Sequence, residues 1–311
     1  MPLKTPRKTQ GKILQADSLK PVPGLIHGFS TRPGGFSTVY RGRTLNLGFT
    51  PQDARAAVEQ NRKKFLRQLG AISKGRPWPL VTLNQIHSDL IHGVSELPKS
   101  TVPKPTLAGD GLITRTPGML LGILTADCLP VILVDAKRRA VGVFHAGWRG
   151  TLKRIVEKGV GEMHRWFGTS PGDLRAAIGP GVHGCCYAVG PEVRTQFESQ
   201  FEYGSELFHE VEESDPVREK YPLLFLTARA PGHSVLPKKI FLDLVEANRR
   251  QLLAVGVAVK YISTSPLCTS CRTDLLFSYR AEKGVTGRMM AVAGYGRSVR
   301  VPRMLVSRNC L

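Results

Sequence analysis

Three residues of metal-ligating type stand at the ends of apolar segments. Cys128 lies just before one such segment, His145 ends the next, and His87 follows a third. The turn "DAKRR" (135–139) predicts an antiparallel strand pair, so Cys128 and His145 return to one edge although 145 − 128 = 17 positions separate them. One cysteine with two histidines makes a three-ligand zinc set with a fourth position open to water or substrate. A Cys–His nucleophile pair without metal is the alternative chemistry.

The stretch "HAGWRGT" (145–151) combines two glycines with Arg149 at the predicted start of a helix. Free backbone N–H groups at a helix start attract an anion, and a guanidinium adds bidentate recognition of its oxygens. This pattern favours a phosphate site, and a plain glycine turn with a solvated arginine is the alternative. Asp110 in "AGDGLIT" is expected either to orient a ligating histidine, to carry a proton, or simply to form an Asp-Gly turn.

The chain has six cysteines, too few for a disulfide scaffold. The vicinal pair Cys185-Cys186 lies in a glycine-rich loop, where we expect mainly a packing role. Cys268 and Cys271 form a C-x-x-C in "SPLCTSCRTD". A structural zinc is not expected there because the sequence shows no second pair of ligands beside it.

The elements that must position these residues are short strands and three longer helices. The helices are predicted from apolar spacing at residues 53–70, with Asp53 as cap, 151–168 and 243–256. The strands are predicted at 80–86, 111–114, 119–125, 130–135, 140–145, 174–179, 258–263, 275–280 and 288–294. Strands are followed sometimes by strands and sometimes by helices, which indicates mixed or antiparallel sheets with helices outside.

Composition limits the class of protein. Lys and Arg number 44 against 24 Asp and Glu, a net charge of +20 that attracts anions. No secretory signal or membrane span is visible, so we expect a cytoplasmic protein with reduced thiols. We expect one domain over residues 23–295 between basic tails at 1–22 and 296–311.

An ordered series of motifs resembles the YfiH-type family, also called the laccase-domain or multicopper polyphenol oxidase-like family. The series reads "HGFSTRPGGFS", "LNLG", "NQIHSD", "GDGLIT", "TADCLPVILVD", "HAGWRGT", "IGPGVHGCCYAVG", "DLVEANRRQL" and "FSYRAEKGVTGR". The resemblance implies a single α/β domain with mixed sheets layered between helices, and a zinc site on His87, Cys128 and His145. It implies phosphorolysis of adenosine, inosine and methylthioadenosine, with adenosine deamination as a side activity. Ala188 departs from the family pattern "CCYEVG", which leaves substrate preference open.

Asn46, Arg62 and Gln85 stand in family motifs and are further candidates to contact ribose or phosphate, with local structural hydrogen bonding as the alternative. Arg62 and Arg149 rank highest for phosphate because they carry fixed charge.

The older oxidase label of the family does not suit the ligands. The chain has eight histidines, and no two of them are two positions apart, so a multicopper cluster is not expected. Copper remains able to occupy the single site in vitro because it outcompetes zinc for such ligands. The other functions left open are a metal-free Cys/His hydrolase and, because of the charge, a nucleic-acid-binding protein, the weakest candidate since aromatic-rich RNA motifs are lacking.

Overall fold

A computed structural model describes residues 12–97, 107–212 and 238–296 of the chain. Its α-helices are α1 (Arg55–Gln68), α2 (Trp148–Leu152), α3 (Ile155–Phe167), α4 (Pro191–Gln200) and α5 (Leu244–Ala254). Its strands are β1 (Leu25–Phe29), β2 (Pro33–Ser37), β3 (Ile72–Ser73), β4 (Arg76–Pro77), β5 (Leu80–Val81), β6 (Ile91–Gly93), β7 (Gly111–Thr114), β8 (Leu120–Thr125), β9 (Leu129–Asp135), β10 (Ala140–Ala146), β11 (Leu174–Ile178), β12 (Ala188–Val189), β13 (Phe208–Glu212), β14 (Lys238–Leu242), β15 (Ile262–Thr264) and β16 (Met289–Tyr295). None of the helices in these ranges has both the length and the apolar character that crossing a membrane requires.

Two sheets form the centre of the molecule. The larger has six strands in the order β15-β11-β9-β10-β7-β6, and the smaller has four in the order β1-β16-β8-β5. Most neighbours are antiparallel, while β5–β8, β6–β7 and β11–β15 are parallel. The mixed or antiparallel sheets that the sequence predicts are therefore confirmed.

The two sheets lie face to face, with helices outside both. Along β10, Val141 and Val143 join the apolar cluster shared with the four-stranded sheet, whereas Phe144 and Ala146 join the cluster under α3 and α5. This alternation follows from the two-residue period of a strand. On the far side of the four-stranded sheet, Phe65 of α1 belongs to a third cluster. The result is four layers in the order helix, sheet, sheet, helix.

The central strands were predicted closely because both of their faces are buried. Every residue of β9 and β10 is buried, which gives the near-continuous apolar run that marks such strands. The segment predicted as a strand at 275–280 is instead made of turns. Leu276 and Phe277 are apolar because they fill a side cluster with Tyr40 and Met289, without joining a sheet.

Two helix predictions need correction. Asp53 does not cap α1, whose N-cap residue is Ala54 with no side-chain cap, and Asp53 accepts a hydrogen bond from Asn46 instead. The helix predicted at 151–168 is two helices, α2 and α3, separated at Arg154, which has a left-handed φ of 61°. The third prediction is confirmed at its start, where the Asp243 carboxylate accepts the N–H of Glu246.

Part of the segment expected as an N-terminal tail packs against the sheets. Leu19 is fully buried in the core between the sheets, and Leu14 pairs with Phe29 of β1. The packed chain therefore includes residues before 23. Residues 1–11 and 297–311, which cover the rest of the two predicted tails, lie outside the described residues.

Candidate metal and substrate site

The hairpin of β9 and β10 places Cys128 beside His145. Arg139 turns the hairpin with a φ of 53°, and the register pairs His145 with Pro130 and Ala146 with Leu129. Cys128 is the residue immediately before Leu129, so its thiol lies at the edge where β10 ends. The ligand atoms of Cys128, His145 and His87 all lie within 4.8 Å of one another. The predicted meeting of these three side chains is present in the structure.

Asp110 holds His87 in this cluster. It lies just before β7, which pairs with β10, and its carboxylate is fully buried. That carboxylate accepts the N–H of His87 at 3.1 Å and both the N–H and the hydroxyl of Ser88 at 2.6 and 2.7 Å. These bonds stabilise His87 in a left-handed conformation, with a φ of 57° that is uncommon for a residue with a side chain.

The same carboxylate orients His145. Oδ1 of Asp110 lies 2.8 Å from Nδ1 of His145, so Nε2 is the ring nitrogen left for the cluster. Burial raises the pKa of Asp110, but the hydrogen bonds from His145 and Ser88 outweigh it and hold the pKa at about 2. Asp110 is thus an anion at neutral pH that fixes the ring and tautomer of a prospective metal ligand.

Cys128 and His145 shift each other's pKa in opposite directions. Burial raises the pKa of the Cys128 thiol, but the charge of His145 and hydrogen bonds from both histidines lower it to about 6. Burial lowers the pKa of His145, yet the Cys128 thiolate and the Asp110 carboxylate raise it to about 9. The thiol is therefore ready to act as a metal ligand or as a nucleophile.

The sulfur of Cys128 lies so close to Gly147 that a side chain there would meet it. A Cβ on Gly147 would lie 2.8 Å from Sγ of Cys128 and 3.4 Å from Cδ2 of His87. Gly147 has φ −77° and ψ 175°, a conformation open to any residue, so space and not backbone geometry requires glycine here. Gly147 thus leaves room for the three side chains to converge, and the phosphate site expected from "HAGWRGT" stays a prediction.

A basic and aromatic rim surrounds the cluster. Tyr187 is half-buried, and its pKa is raised first by that burial and then by the negative charge of Cys128. The positive charges of Arg280 and Arg149 lower the pKa of Tyr187. The guanidinium of Arg280 lies 4.8 Å from the centre of the Tyr187 ring. Arg149 is exposed at the start of α2 and stacks 4.4 Å from the ring centre of Trp148. Tyr187 and Arg280 were not singled out from sequence, although both lie in the motifs "CCYAVG" and "FSYR".

The other candidates for substrate contact have structural partners. Gln85 exchanges two 2.8 Å hydrogen bonds with the backbone of Leu124, which ties the loop before His87 to β8. The side-chain NH₂ of Asn46 donates to the Gly48 carbonyl and the Asp53 carboxylate. Its side-chain oxygen accepts the N–H groups of Gly48 and Arg288. These bonds match the local structural role that was the alternative for both residues.

Arg62 is also placed by packing. Its side chain is 1% exposed, Nε donates to the Leu47 carbonyl at 2.8 Å, and the guanidinium lies 4.5 Å from the Phe49 ring centre. Burial lowers its pKa to about 10. Its Nη1 is buried and has no hydrogen-bond partner among the described residues, so the phosphate contact expected of Arg62 stays a prediction.

A second cluster corrects the expectation for the remaining cysteines. Cys185, Cys186, Cys268 and Cys271 bring their sulfur atoms within 4.8 Å of one another. Cys185 and Cys271 are exposed, so the vicinal pair does not simply fill a core. The second pair of ligands that the C-x-x-C seemed to lack is supplied by the fold. Ala188, the departure from the family pattern, follows closely and pairs with Phe241 in a small three-stranded sheet.

The fold and the cluster together define a layered α/β protein with a histidine–cysteine metal-ligating centre at the end of a buried hairpin. The family model "Multi-copper polyphenol oxidoreductase laccase" matches residues 26–295. The chain belongs to this family, as the sequence resemblance predicts.

Named relatives cover nearly the whole molecule. The purine nucleoside phosphorylase YlmD of Geobacillus stearothermophilus is 33% identical over 283 residues, covering 88% of this chain and 91% of the relative. A purine nucleoside phosphorylase of Deinococcus radiodurans is 34% identical over 276 residues, covering 87% and 89%. The adenosine deaminase RL5 of an unknown prokaryotic organism is 35% identical over 171 residues, but covers 55% of this chain and 56% of the relative.

Solved structures share the fold. The crystal structure of the Bacillus licheniformis hypothetical protein YfiH superposes with a TM-score of 0.73 at 31% identity, covering 89% of this chain and 98% of that one. The structure of YlmD from Geobacillus stearothermophilus gives a TM-score of 0.71 at 32% identity, covering 89% and 94%.

Proposed function

We propose that this protein is a zinc-dependent purine nucleoside phosphorylase, acting on adenosine, inosine and methylthioadenosine, with adenosine deamination as a side activity. The observation that carries the proposal is the convergence of His87, Cys128 and His145, with Asp110 orienting one of them. The names of the relatives supply the reaction class. The protein is on this basis an enzyme of purine nucleoside metabolism.

The donor set fits zinc. Two imidazole nitrogens and one thiolate, with the remaining coordination position open, are typical of a catalytic zinc site. Zinc bound there supplies a Lewis acid that polarises a substrate oxygen or activates water. Nothing in the described part of the chain gathers the larger histidine set that a multicopper oxidase needs, and the two ligand groups found there hold two histidines in all.

The rim offers recognition for the two substrates. Arg149 and Arg280 present exposed guanidinium groups beside the cluster, where a phosphate dianion would gain bidentate hydrogen bonds. The Tyr187 ring is close enough to Cys128 and Arg280 for both to shift its pKa, and an aromatic ring beside the cluster suits stacking against a purine base. We assign Arg149 and Arg280 to phosphate and Tyr187 to the base.

The metal-free alternative rests on a specific observation. Cys128 carries a thiol with a lowered pKa beside a protonated His145, the pair that a thiol hydrolase requires. Such an enzyme would keep its activity after chelation and lose it on alkylation of Cys128. A phosphorylase dependent on zinc shows the opposite response to chelation.

The test measures free base released from adenosine and inosine with and without phosphate, together with ammonia release from adenosine. It is run on wild type, Cys128→Ser and His145→Gln, with His164→Gln as matched control because that histidine is exposed on α3. We expect phosphate-dependent base release in wild type and in the control, and its loss in both site variants. Base release that persists in Cys128→Ser, or that ignores phosphate, would remove the proposal.

A further inference from the structure

We propose that Cys185, Cys186, Cys268 and Cys271 bind a second, structural zinc ion. Three of the sulfur pairs are separated by 3.7, 3.6 and 3.3 Å. Tetrahedral zinc with Zn–S bonds of about 2.3 Å places its sulfur ligands about 3.8 Å apart along each edge. The sulfurs of Cys185, Cys186 and Cys271 thus lie near the spacing of one tetrahedral face, and the sulfur of Cys268 lies within 4.8 Å of all three.

Two turns bring the sulfur atoms together. The first runs from His183 to Tyr187, whose N–H donates to the His183 carbonyl at 2.9 Å and closes a helical turn around the vicinal cysteines. The second runs from Cys268 to Arg272, whose N–H donates to the Cys268 carbonyl at 3.1 Å. Each turn supplies two sulfurs, the two-plus-two arrangement of structural Cys₄ sites.

Backbone hydrogen bonds join the two turns, and one backbone N–H is directed at the sulfur of Cys268. Gly181 bridges to Cys268, and the N–H of Thr269 donates to the Gly181 carbonyl at 2.9 Å. The N–H of His183 then reaches Sγ of Cys268 at 3.5 Å. Backbone N–H groups directed at a sulfur stabilise its thiolate form, and hydrogen bonds of this kind commonly surround metal-bound cysteines.

Other uses of four clustered thiols fit less well. A disulfide would draw two sulfurs to about 2.05 Å and leave the other two without a role. Close packing alone does not explain why the exposed Cys185 and Cys271 turn toward the same centre. All-sulfur tetrahedral sites select zinc or iron–sulfur centres, and a span of 4.8 Å holds a single ion rather than a multinuclear cluster.

The site is structural because four protein ligands leave no open position. The position of the four cysteines shows which part of the fold a metal ion there would stabilise. Thr269 lies inside the C-x-x-C, and its hydroxyl donates to Asp127 at 2.7 Å. Asp127 precedes Cys128 and has a left-handed φ of 89°, and Tyr187 follows Cys186. A metal joining the two turns would therefore fix one wall of the His87–Cys128–His145 site.

Metal content measured by mass spectrometry tests the proposal without any assay of activity. Proteins are purified without added metal: wild type, Cys128→Ser, the double variant Cys185→Ser/Cys271→Ser, and Ser270→Ala as control within the same turn. We expect two zinc ions per chain in wild type and the control, and one in each of the other two. One zinc in wild type that the double variant retains would overturn the proposal, as would iron in place of the second zinc.

X-ray absorption on Cys128→Ser provides a second reading that does not require the double variant to fold. We expect its single zinc to show four sulfur ligands at about 2.3 Å. Nitrogen ligands around that zinc, or a disulfide between Cys186 and Cys271 found by peptide mapping, would refute the Cys₄ site. Because these readings measure metal and sulfur and require no turnover of a nucleoside, they separate this proposal from the phosphorylase reaction.

Discussion

Asp110 is a single buried side chain on which two prospective ligands depend. It accepts the backbone N–H of His87 and faces Nδ1 of His145, so one carboxylate sets both a loop conformation and a ring orientation. A hydrogen bond to such a carboxylate fixes the orientation and the tautomer of the imidazole ring of a histidine at a strand end. The sequence leaves Asp110 with three alternative roles, and the geometry supports the orienting one.

Asp110→Asn is expected to weaken zinc binding at the His87 site about 10–100-fold. The amide cannot hold the negative charge that supports His145, and its NH₂ group would face N–H donors. Competition with a chromogenic chelator measures the affinity. Ser88→Ala is the control, since it removes one hydroxyl bond to Asp110 and keeps the carboxylate. Equal affinities for wild type and Asp110→Asn would contradict the orienting role.

Gly147→Ala is expected to reduce zinc affinity at the same site through space alone. The added methyl would stand 2.8 Å from Sγ of Cys128 in a backbone conformation that alanine adopts freely. Overpacking of this kind costs about 1–3 kcal/mol, which corresponds to roughly 5- to 150-fold in affinity. The same chelator titration tests it. Affinity within twofold of wild type would show that the sulfur can move aside.

At the scale of elements, α3 carries two glycines with opposite surroundings. A Cβ on Gly159 would lie 2.5 Å from the Phe144 ring of β10, whereas a Cβ on Gly161 would meet nothing within 4 Å. Gly159 lets the helix approach the hairpin that carries His145. Gly161 faces outward and only loosens the helix.

Substitution of the two glycines by alanine is therefore expected to change the free energy of unfolding in opposite directions. Gly159→Ala should lower it by about 1–3 kcal/mol through overpacking against Phe144. Gly161→Ala should raise it by about 1 kcal/mol, the difference in helix propensity. Urea unfolding followed by circular dichroism measures both. A rise in both variants would mean that helix propensity, and not contact with β10, dominates, and a fall in Gly161→Ala would contradict its outward position.

The sequence predicts a contact between two residues best when the segments that carry them are close together in the chain. The β9–β10 hairpin closes through a four-residue turn at 136–139, so the meeting of Cys128 and His145 follows from apolar runs on either side of it. The Cys₄ cluster joins Cys186 to Cys271, 271 − 186 = 85 positions apart, through the placement of whole elements. Nothing local to either pair shows that they meet.

Residue type misleads where burial decides the role. The charge of Arg62 predicts an anion contact, yet this residue of α1 is buried, and its guanidinium contacts the Leu47 carbonyl and the Phe49 ring. Leu276 and Phe277 read as a strand from their apolar character, yet they fill a side cluster from a series of turns. In both cases the information lies in the neighbours that the rest of the fold supplies.

At the scale of the whole molecule, the packed layers remove polar side chains from water as well as apolar ones. His27 on β1 is 2% exposed, and its Nε2 accepts the N–H of Ala16 at 3.2 Å. Only a ring with an unprotonated Nε2 can accept that bond. Burial is the main cause that lowers the pKa of His27 to about 4.

The stability contributed by His27 is expected to fall as the pH drops from about 6.5 to about 4. In that window the unfolded chain binds the proton and the folded chain does not, so acidification favours unfolding. The full loss is at most about 3 kcal/mol. Urea unfolding at pH 7 and pH 4.5 should show a smaller decrease for His27→Gln than for wild type. His164→Gln, an exposed histidine on α3, should behave as wild type; identical decreases in all three proteins would exclude His27 as the cause.

The three residues of the first site come from separate segments, at positions 87, 128 and 145, and gather only when the layers have assembled. An ion bound by all three is therefore a ligand of the native state alone. Mass action then adds about 2.7 kcal/mol to the free energy of unfolding when free zinc is 100-fold above its dissociation constant. Under this proposal the melting temperature of the protein rises with the concentration of free zinc around it.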